Sequence, residues 1–252
     1  MRLIKVVGIA IIMMLLSSCL SLKQKRYEWP EVHRKDNLVV HKYYALTYNE
    51  DHEIANWAAY SLTKKETHPI VDRSYYYATD PGVETQTATK NDYNGSGYDR
   101  GHLIPARDMA FNQTAQDEVN YMSNITPQNR GFNRGIWRTL EARVRKWSVQ
   151  YDSVMVVTGP LTDSIIDTIG KENTVSVPAA FYKTLLVRND TLNSAVAFVI
   201  PNEKASGKSH LDFAITVDSL ETLTGYDFFP LLPRKLENNI ESKIDTAFWD
   251  LY

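Results

Sequence analysis

The sequence predicts one mixed α+β domain, on three observations. Ile136, Trp137, Leu140, Val144 and Trp147 fall at i, i+1, i+4, i+8 and i+11, one apolar face of a helix over Arg134–Val149. Short apolar runs with polar turns between them fill much of the rest, as strands do. No internal repeat, low-complexity tract or mid-chain linker divides the 252 residues, of which 43% are hydrophobic and 23% charged. That length fits one large domain once a leader is set aside.

Taken in order, residues 1–18 read as a leader. Arg2 and Lys5 precede the apolar run Val6 to Leu16, which is too short to span a bilayer comfortably. Leu16-Ser17-Ser18-Cys19 follows and resembles a bacterial lipobox, which implies a lipoprotein signal peptide and lipidation of Cys19. A plain secretory signal ending near a cysteine is the alternative. Cys19 is the only cysteine, so an intramolecular disulfide and a Cys-rich zinc site are both excluded. Residues 20–38 are charged and lack apolar periodicity. Segment 19–38 is therefore expected to be a tether and 39–252 the domain.

Two strand-like runs, Tyr43–Tyr48 and Ile54–Leu62, flank the turn-rich Asn49-Glu50-Asp51 and predict a hairpin, although Ala55–Tyr60 also fits a helix. Val71–Ala78 is a third candidate strand, closed by Asp80-Pro81-Gly82. Residues 84–98 form a polar loop, and Ala115–Tyr121 reads as a short helix. Beyond the long helix, Ser153–Thr158, Phe181–Arg188 and Ala195–Ile200 are strand candidates. His210–Leu223 fits strand or helix, and Ile240–Trp249 a closing helix.

Several chemistries have no motif here. There is no G-x-x-x-x-G-K loop, no HExxH, no paired Cys ligands, no His cluster, and Gly95-Ser96-Gly97 lacks the flanks of a serine-hydrolase elbow. What remains is Asp99-Arg100-Gly101-His102, then Asn124-Ile125-Thr126-Pro127-Gln128, then Asn133-x₃-Trp137-x₂-Leu140-Glu141. Together these resemble the DNA/RNA non-specific endonucleases of the ββα-metal fold, the family that includes mitochondrial endonuclease G. Further likeness runs through Tyr44–Leu62, Arg73, Asp80-Pro81, Val157–Pro160, Val177–Lys183, Phe198–Asn202 and Thr224–Pro230. It covers roughly 41–233, nearly the whole expected domain. The resemblance implies a central, mainly antiparallel sheet flanked by helices, and a metal-dependent, sugar-non-specific endonuclease acting on DNA and RNA.

Phosphodiester hydrolysis needs an activated water and neutralisation of phosphoryl charge. A neutral imidazole with the ordinary pKa of about 6.5 suits proton abstraction at neutral pH, which makes His102 the expected general base. Gly101 beside it would allow close approach of backbone or substrate. The resemblance makes Asn133 the ligand of a Mg²⁺-type ion, with Mn²⁺ or Ca²⁺ as substitutes; its place just before the helix also suits a cap. Glu141 lies eight positions on, which in a straight helix is about 12 Å along and about 80° around the axis. It is expected to reach the ion through water, the alternative being a surface pair with Arg138 or Arg145. By resemblance Asn124 helps orient the site, Arg73 stabilises the phosphoryl transition state and Arg100 holds the substrate backbone. Arg134 and Arg138 would contact flanking phosphates, an exposed role being equally compatible. A nucleic-acid-binding lipoprotein and a phosphodiesterase for small nucleotides are the alternatives.

Charge is the feature least suited to a polyanion. Without residues 1–18, which carry Arg2 and Lys5, the formal charge goes from −2 to −4. Yet between Asp99 and Trp147 eight basic residues face five acidic ones, a local +3. A local field steers a polymer more than net charge does. The leader implies a lipid-held envelope protein, expected on the outer membrane and facing the periplasm. The sequence leaves the oligomeric state open, a homodimer included.

Overall fold

The computed structural model describes residues 26–251; the leader and Cys19 lie outside the described residues. A seven-stranded sheet organises the chain. Its strands are β1 (Asn37–Val40), β2 (Tyr44–Asn49), β3 (Ile54–Thr63), β6 (Ser153–Pro160), β9 (Ala180–Arg188), β10 (Asn193–Pro201) and β11 (Ala214–Ile215), in that order and antiparallel throughout. Two short ribbons stand apart: β4 (Asp99–His102) with β5 (Ile125–Gln128), and β7 (Ile165–Ile169) with β8 (Val175–Pro178).

Both faces of the large sheet are covered, which explains why its strands read as nearly continuous apolar runs. Ala58, Tyr60 and Leu62 of β3 enter one core, and Trp57 and Ala59 the other. Helix periodicity therefore remained an option for Ala55–Tyr60, and the ladder to β2 and β6 settles it as strand. The first core is roofed by α2 (Arg138–Gln150), through Leu140, Val144 and Trp147, the last packed 5.0 Å from Trp249. The second is roofed by α3 (Val217–Thr224) and α4 (Arg234–Glu241), through Val217, Leu220 and Ile240. Gly225 ends α3 at φ 72, a left-handed cap that a side chain would strain. Helix α1 (Gln113–Glu118) is started by Asn112, whose side chain accepts from the amides of Thr114 and Ala115.

Four expectations need correction. The tether over 19–38 is packed from Tyr27 onward: Tyr27 and Trp29 lie on the second core, the Arg188 guanidinium sits 4.5 Å from the Tyr27 ring, and β1 begins at Asn37. Val71–Ala78 is no strand. It touches its surroundings near its ends, through Val71 N to Ala110 O (3.1 Å) and Met122 N to Ala78 O (2.8 Å), and Arg73, Tyr75 and Tyr76 between them are exposed. The long helix starts properly at Arg138, after a wide π-type turn over Asn133–Trp137 with Gly135 at φ −105, ψ −113. The closing helix lies earlier than Ile240–Trp249, because Pro233 sets a helix start at Arg234. Ile244, Phe248 and Trp249 pack on the first core outside it. Among the described residues no helix is long and apolar enough to cross a membrane.

Candidate active site

The strand β4, its partner β5 and helix α2 form a ββα unit on the first-core side of the sheet. β4 and β5 pair with Gly101 opposite Thr126 and His102 opposite Ile125. The glycine is required there: a Cβ would stand 2.1 Å from the Gln128 side chain. Close approach by a neighbouring side chain, rather than by substrate, is what Gly101 permits. After β5, Asn129 caps the next turn by accepting from Gly131 N at 2.8 Å, so the capping role considered for Asn133 falls four residues earlier. Phe132, Trp137 and Phe181 stack at 5.0 and 5.3 Å and anchor the wide turn that carries Asn133.

These elements enclose a cleft of about 510 Å³. Of the expected residues, Arg73, Arg100, His102, Asn133, Arg134, Arg138 and Glu141 all line it. Asn124 does not. It is fully buried, and its amide is spent on the backbone of Ile104 (3.0 and 3.1 Å) and Val119 (2.9 Å). Its carbonyl also accepts from Leu103 N, so Asn124 fixes the chain leaving His102 and acts on the cleft only through that chain.

His102 is buried, with Tyr77 tilted against it at 5.8 Å. Burial lowers its pKa to about 4 against the raising effect of a hydrogen bond to Asn120, with Arg73 lowering it further. The imidazole is therefore neutral well below the ordinary range expected from sequence. Its tautomer follows from Asn120. The Asn120 amide nitrogen donates to Gln116 O at 2.7 Å, which turns Oδ1 toward His102 Nε2 at 3.0 Å. Nε2 then carries the proton and donates, leaving Nδ1 as the basic nitrogen. Asn120 had no signal in the sequence; only the tertiary contact finds it.

Asp99 organises the other wall. It accepts from Asn133 Nδ2 at 3.0 Å and from both Nε and Nη2 of Arg134 at 2.7 Å, with Arg130 at 3.6 Å. Burial pushes its carboxyl up, but the Arg134 and Asn133 hydrogen bonds outweigh that and leave it below its ordinary value. With its nitrogen held, Asn133 keeps its carbonyl oxygen without a hydrogen-bond partner among the described residues. Glu141 pairs with neither Arg138 nor Arg145, since Arg145 goes to Asp108 at 2.7 Å. Burial pushes the Glu141 carboxyl up, and buried Lys183 is the strongest influence pulling it back. Lys183 Nζ lies 4.6 Å from the Trp137 ring centre with no hydrogen-bond partner among the described residues, and burial lowers its pKa. The π-type turn removes the straight-helix premise that separated Asn133 from Glu141; both face the same cleft.

The donors fit a hard divalent cation. An amide oxygen freed by Asp99 and a carboxylate that accepts no hydrogen bond among the described residues are oxygen ligands of the kind Mg²⁺ takes, alongside water. Around them stand six arginines and one further carboxylate, Asp99. Arg134 is tied to Asp99 and Arg145 to Asp108, while Arg73, Arg100, Arg107 and Arg138 have no carboxylate partner among the described residues. Arg100 is held by Lys90 O at 3.1 Å and by the Asn94 side chain, over the Tyr77 ring at 5.6 Å. Arg107 and Arg145 belonged to the basic stretch in the sequence but carried no sign of facing the site.

A ββα unit that lines an arginine-rich cleft with one neutral histidine and two oxygen donors brings together the groups that metal-assisted phosphodiester hydrolysis calls for. Comparison with known proteins is more specific. The DNA/RNA non-specific endonuclease family matches residues 30–235, and the chain belongs to that family. It is 33% identical to the mitochondrial nuclease EXOG of Homo sapiens over 221 residues, 81% of this chain and 60% of that protein. It is 35% identical to nuclease C1 of Cunninghamella echinulata var. echinulata, over 75% of this chain and 81% of that one. The chain thus spans under two thirds of the human relative's length, though more of the fungal one's. A solved EndoG/EndoGI complex, described as showing the mechanism of EndoG inhibition, contains a chain matching with a TM-score of 0.75 at 32% identity, covering 84% of this chain and 91% of that chain. The fold is the ββα-metal nuclease fold, with a central antiparallel sheet.

Proposed function

We propose that this chain is a divalent-metal-dependent endonuclease that hydrolyses phosphodiester bonds of DNA and RNA with little base preference. The observation that carries the reading is the neutral imidazole of His102, its Nε2 committed to Asn120, in a cleft with four guanidiniums free of carboxylate partners among the described residues. His102 Nδ1 accepts the proton of the attacking water. Asn133 Oδ1 would hold the ion directly and Glu141 through water; a bound Mg²⁺-type ion (Mn²⁺ or Ca²⁺ as substitutes) would supply Lewis-acid stabilisation of phosphoryl charge. Arg73 stabilises the charge that builds on the phosphoryl oxygens, and Arg100 seats the substrate backbone. Arg134, oriented by Asp99, and Arg138 contact flanking phosphates. Such contacts carry no base information, which accounts for acting on both polymers.

Plasmid DNA and structured RNA incubated with the protein and Mg²⁺ should both be degraded, and both spared with chelator. Retention of the polymers without any cut would replace this reading with capture alone. Cleavage of dinucleotides as fast as polymer would point to a small-nucleotide phosphodiesterase.

The envelope location rests on the order of basic residues, apolar run and Leu16-Ser17-Ser18-Cys19. We propose a lipid on Cys19 that holds the nuclease at the outer membrane, facing the periplasm. A labelled fatty acid should enter the parent chain and not Cys19→Ser, and incorporation into both would refute it.

A further inference from the structure

On the second-core side, across the sheet from the cleft, lies a carboxylate cluster that the nuclease chemistry does not use. Asp218 and Glu221 sit one turn apart on α3, and Glu241 closes α4. One carboxylate oxygen from each lies within 4.8 Å of the other two. The decisive member is Glu241. It is only 3% exposed, and its Oε1 is buried with no hydrogen-bond partner among the described residues. No Lys, Arg or His forms an ion pair with any of the three among the described residues. Glu221 satisfies one oxygen by accepting from Phe228 N at 2.8 Å.

Proteins seldom bury a carboxylate without a counter-charge, because desolvation strongly disfavours the anion. Here the neighbours make matters worse: burial, then Glu221, Glu237, Asp227 and Asp218, push Glu241 up to about 9. Arg234 pulls the neighbouring Glu237 down, but no cation forms an ion pair with Glu241 among the described residues. The donors are all carboxylate oxygens, with no sulfur or imidazole, which excludes the softer metals. Ca²⁺ takes carboxylates at about 2.3–2.6 Å and tolerates irregular shells, so oxygens on opposite sides of it stand up to about 5 Å apart. Mg²⁺ prefers one or two carboxylates and keeps its waters.

We propose that Asp218, Glu221 and Glu241 form a Ca²⁺ site, separate from the catalytic cleft, that clasps α4 to α3. Asp218 is exposed and Glu221 half-buried, so the ion enters from solvent on the α3 side and completes its shell with water. Glu241 lies beyond residue 235, where the family match ends, so one ligand comes from outside the matched segment. The ion joins two helices that otherwise share only an apolar core, to which α3 contributes Leu220 and α4 Ile240. Its effect is on stability, since binding only the folded state raises the unfolding midpoint.

The test uses the full chain carrying Asn133→Ala, to remove the proposed ligand in the cleft, with thermal unfolding and calorimetric titration in CaCl₂ or MgCl₂. Ca²⁺ should bind one-to-one with a Kd on the order of 10⁻⁵–10⁻³ M and raise the midpoint by several degrees. Adding Asp218→Asn and Glu221→Gln should abolish both responses. Glu241→Gln should raise the metal-free midpoint and lose the Ca²⁺ response, a pair of changes that simple misfolding does not produce. In the chain with Asn133 intact, Asp218→Asn/Glu221→Gln should cut plasmid in Mg²⁺ within about twofold of the parent rate. No midpoint shift with Ca²⁺, an undiminished shift in the double variant, or an equal response to Mg²⁺ would each overturn the assignment.

Discussion

Two concavities formed by the described residues differ in charge more than in size. One is the cleft of about 510 Å³ beneath β4 and α2, walled by six arginines and two carboxylates. The other, of about 730 Å³, is bordered by Asp36, Glu50, Asp51 and Asp163 against His33 and Lys35. The larger hollow repels a phosphate backbone and the smaller one attracts it. Volume alone would choose wrongly. The comparison also resolves the net negative charge: a chain of formal charge −2 can present a cationic groove when its acids gather elsewhere, because the polymer responds to the local field.

The sharpest break between the two regions should come from the imidazole. His102→Asn should lower the turnover number about 10²- to 10⁴-fold, while circular dichroism at neutral pH stays that of the parent. A supercoiled-plasmid nicking assay checks the rate. No substitution in the hollow should approach that loss.

The same residue makes a pH prediction on stability. His102 holds a pKa of about 4 when folded, against about 6.5 unfolded, so the unfolded chain binds the proton first as pH falls. The penalty is absent above pH 6.5 and grows as pH drops to 4, reaching about 3 kcal/mol. His102→Asn escapes it. Denaturant unfolding of both proteins at pH 7.5, 5.5 and 4 should show the variant gaining on the parent as acid is added. A constant difference would contradict the burial argument.

Packing supplies the next effect. Gly101→Ala drives a methyl into the Gln128 side chain, and overpacking of that kind costs about 1–3 kcal/mol. Either the buried Gln128 side chain or the strand bearing His102 must give way, so the thermal midpoint should fall and cleavage with it. Gly95→Ala meets no atom within 4 Å and pays only for its φ of 78, so it should leave cleavage nearly unchanged.

Smaller still are single charges. Arg107→Gln or Arg138→Gln should weaken binding of both polymers alike and reduce the log–log salt slope by about one. Asp163→Asn in the acidic hollow should leave the slope unchanged. Fluorescence anisotropy with labelled oligonucleotide over a range of NaCl measures both. Equal changes at Arg138 and Asp163 would erase the distinction between the two concavities.

How much of this was legible beforehand depended on how local each feature is. Asp99–His102 and Asn133–Glu141 were readable because strand, turn and helix keep them near in sequence, and the large sheet because its strands are long and apolar. The wide turn over Asn133–Trp137 had one sign, Gly135, a poor helix former that takes the non-helical backbone there, but only the packing of Phe132 and Trp137 on Phe181 reveals the altered register. Val71–Ala78 has strand-like composition but no strand to pair with, a fact that belongs to the tertiary structure. Asn120, Tyr77 and Lys183 escaped for the same reason. Each matters through a partner distant in the chain, whereas Asn124 carried a strong motif signal and proved to serve the backbone.

The central claim is that His102 and Asn133 serve one ion-dependent reaction in different roles, and a Mg²⁺ titration of plasmid cleavage tests it most directly. Asn133→Ala should need at least about tenfold more Mg²⁺ for half-maximal rate, as loss of a direct ligand requires. His102→Ala should keep the parent's Mg²⁺ requirement at a rate reduced at least a hundredfold. Parent-like rate and Mg²⁺ dependence in either variant would contradict the account.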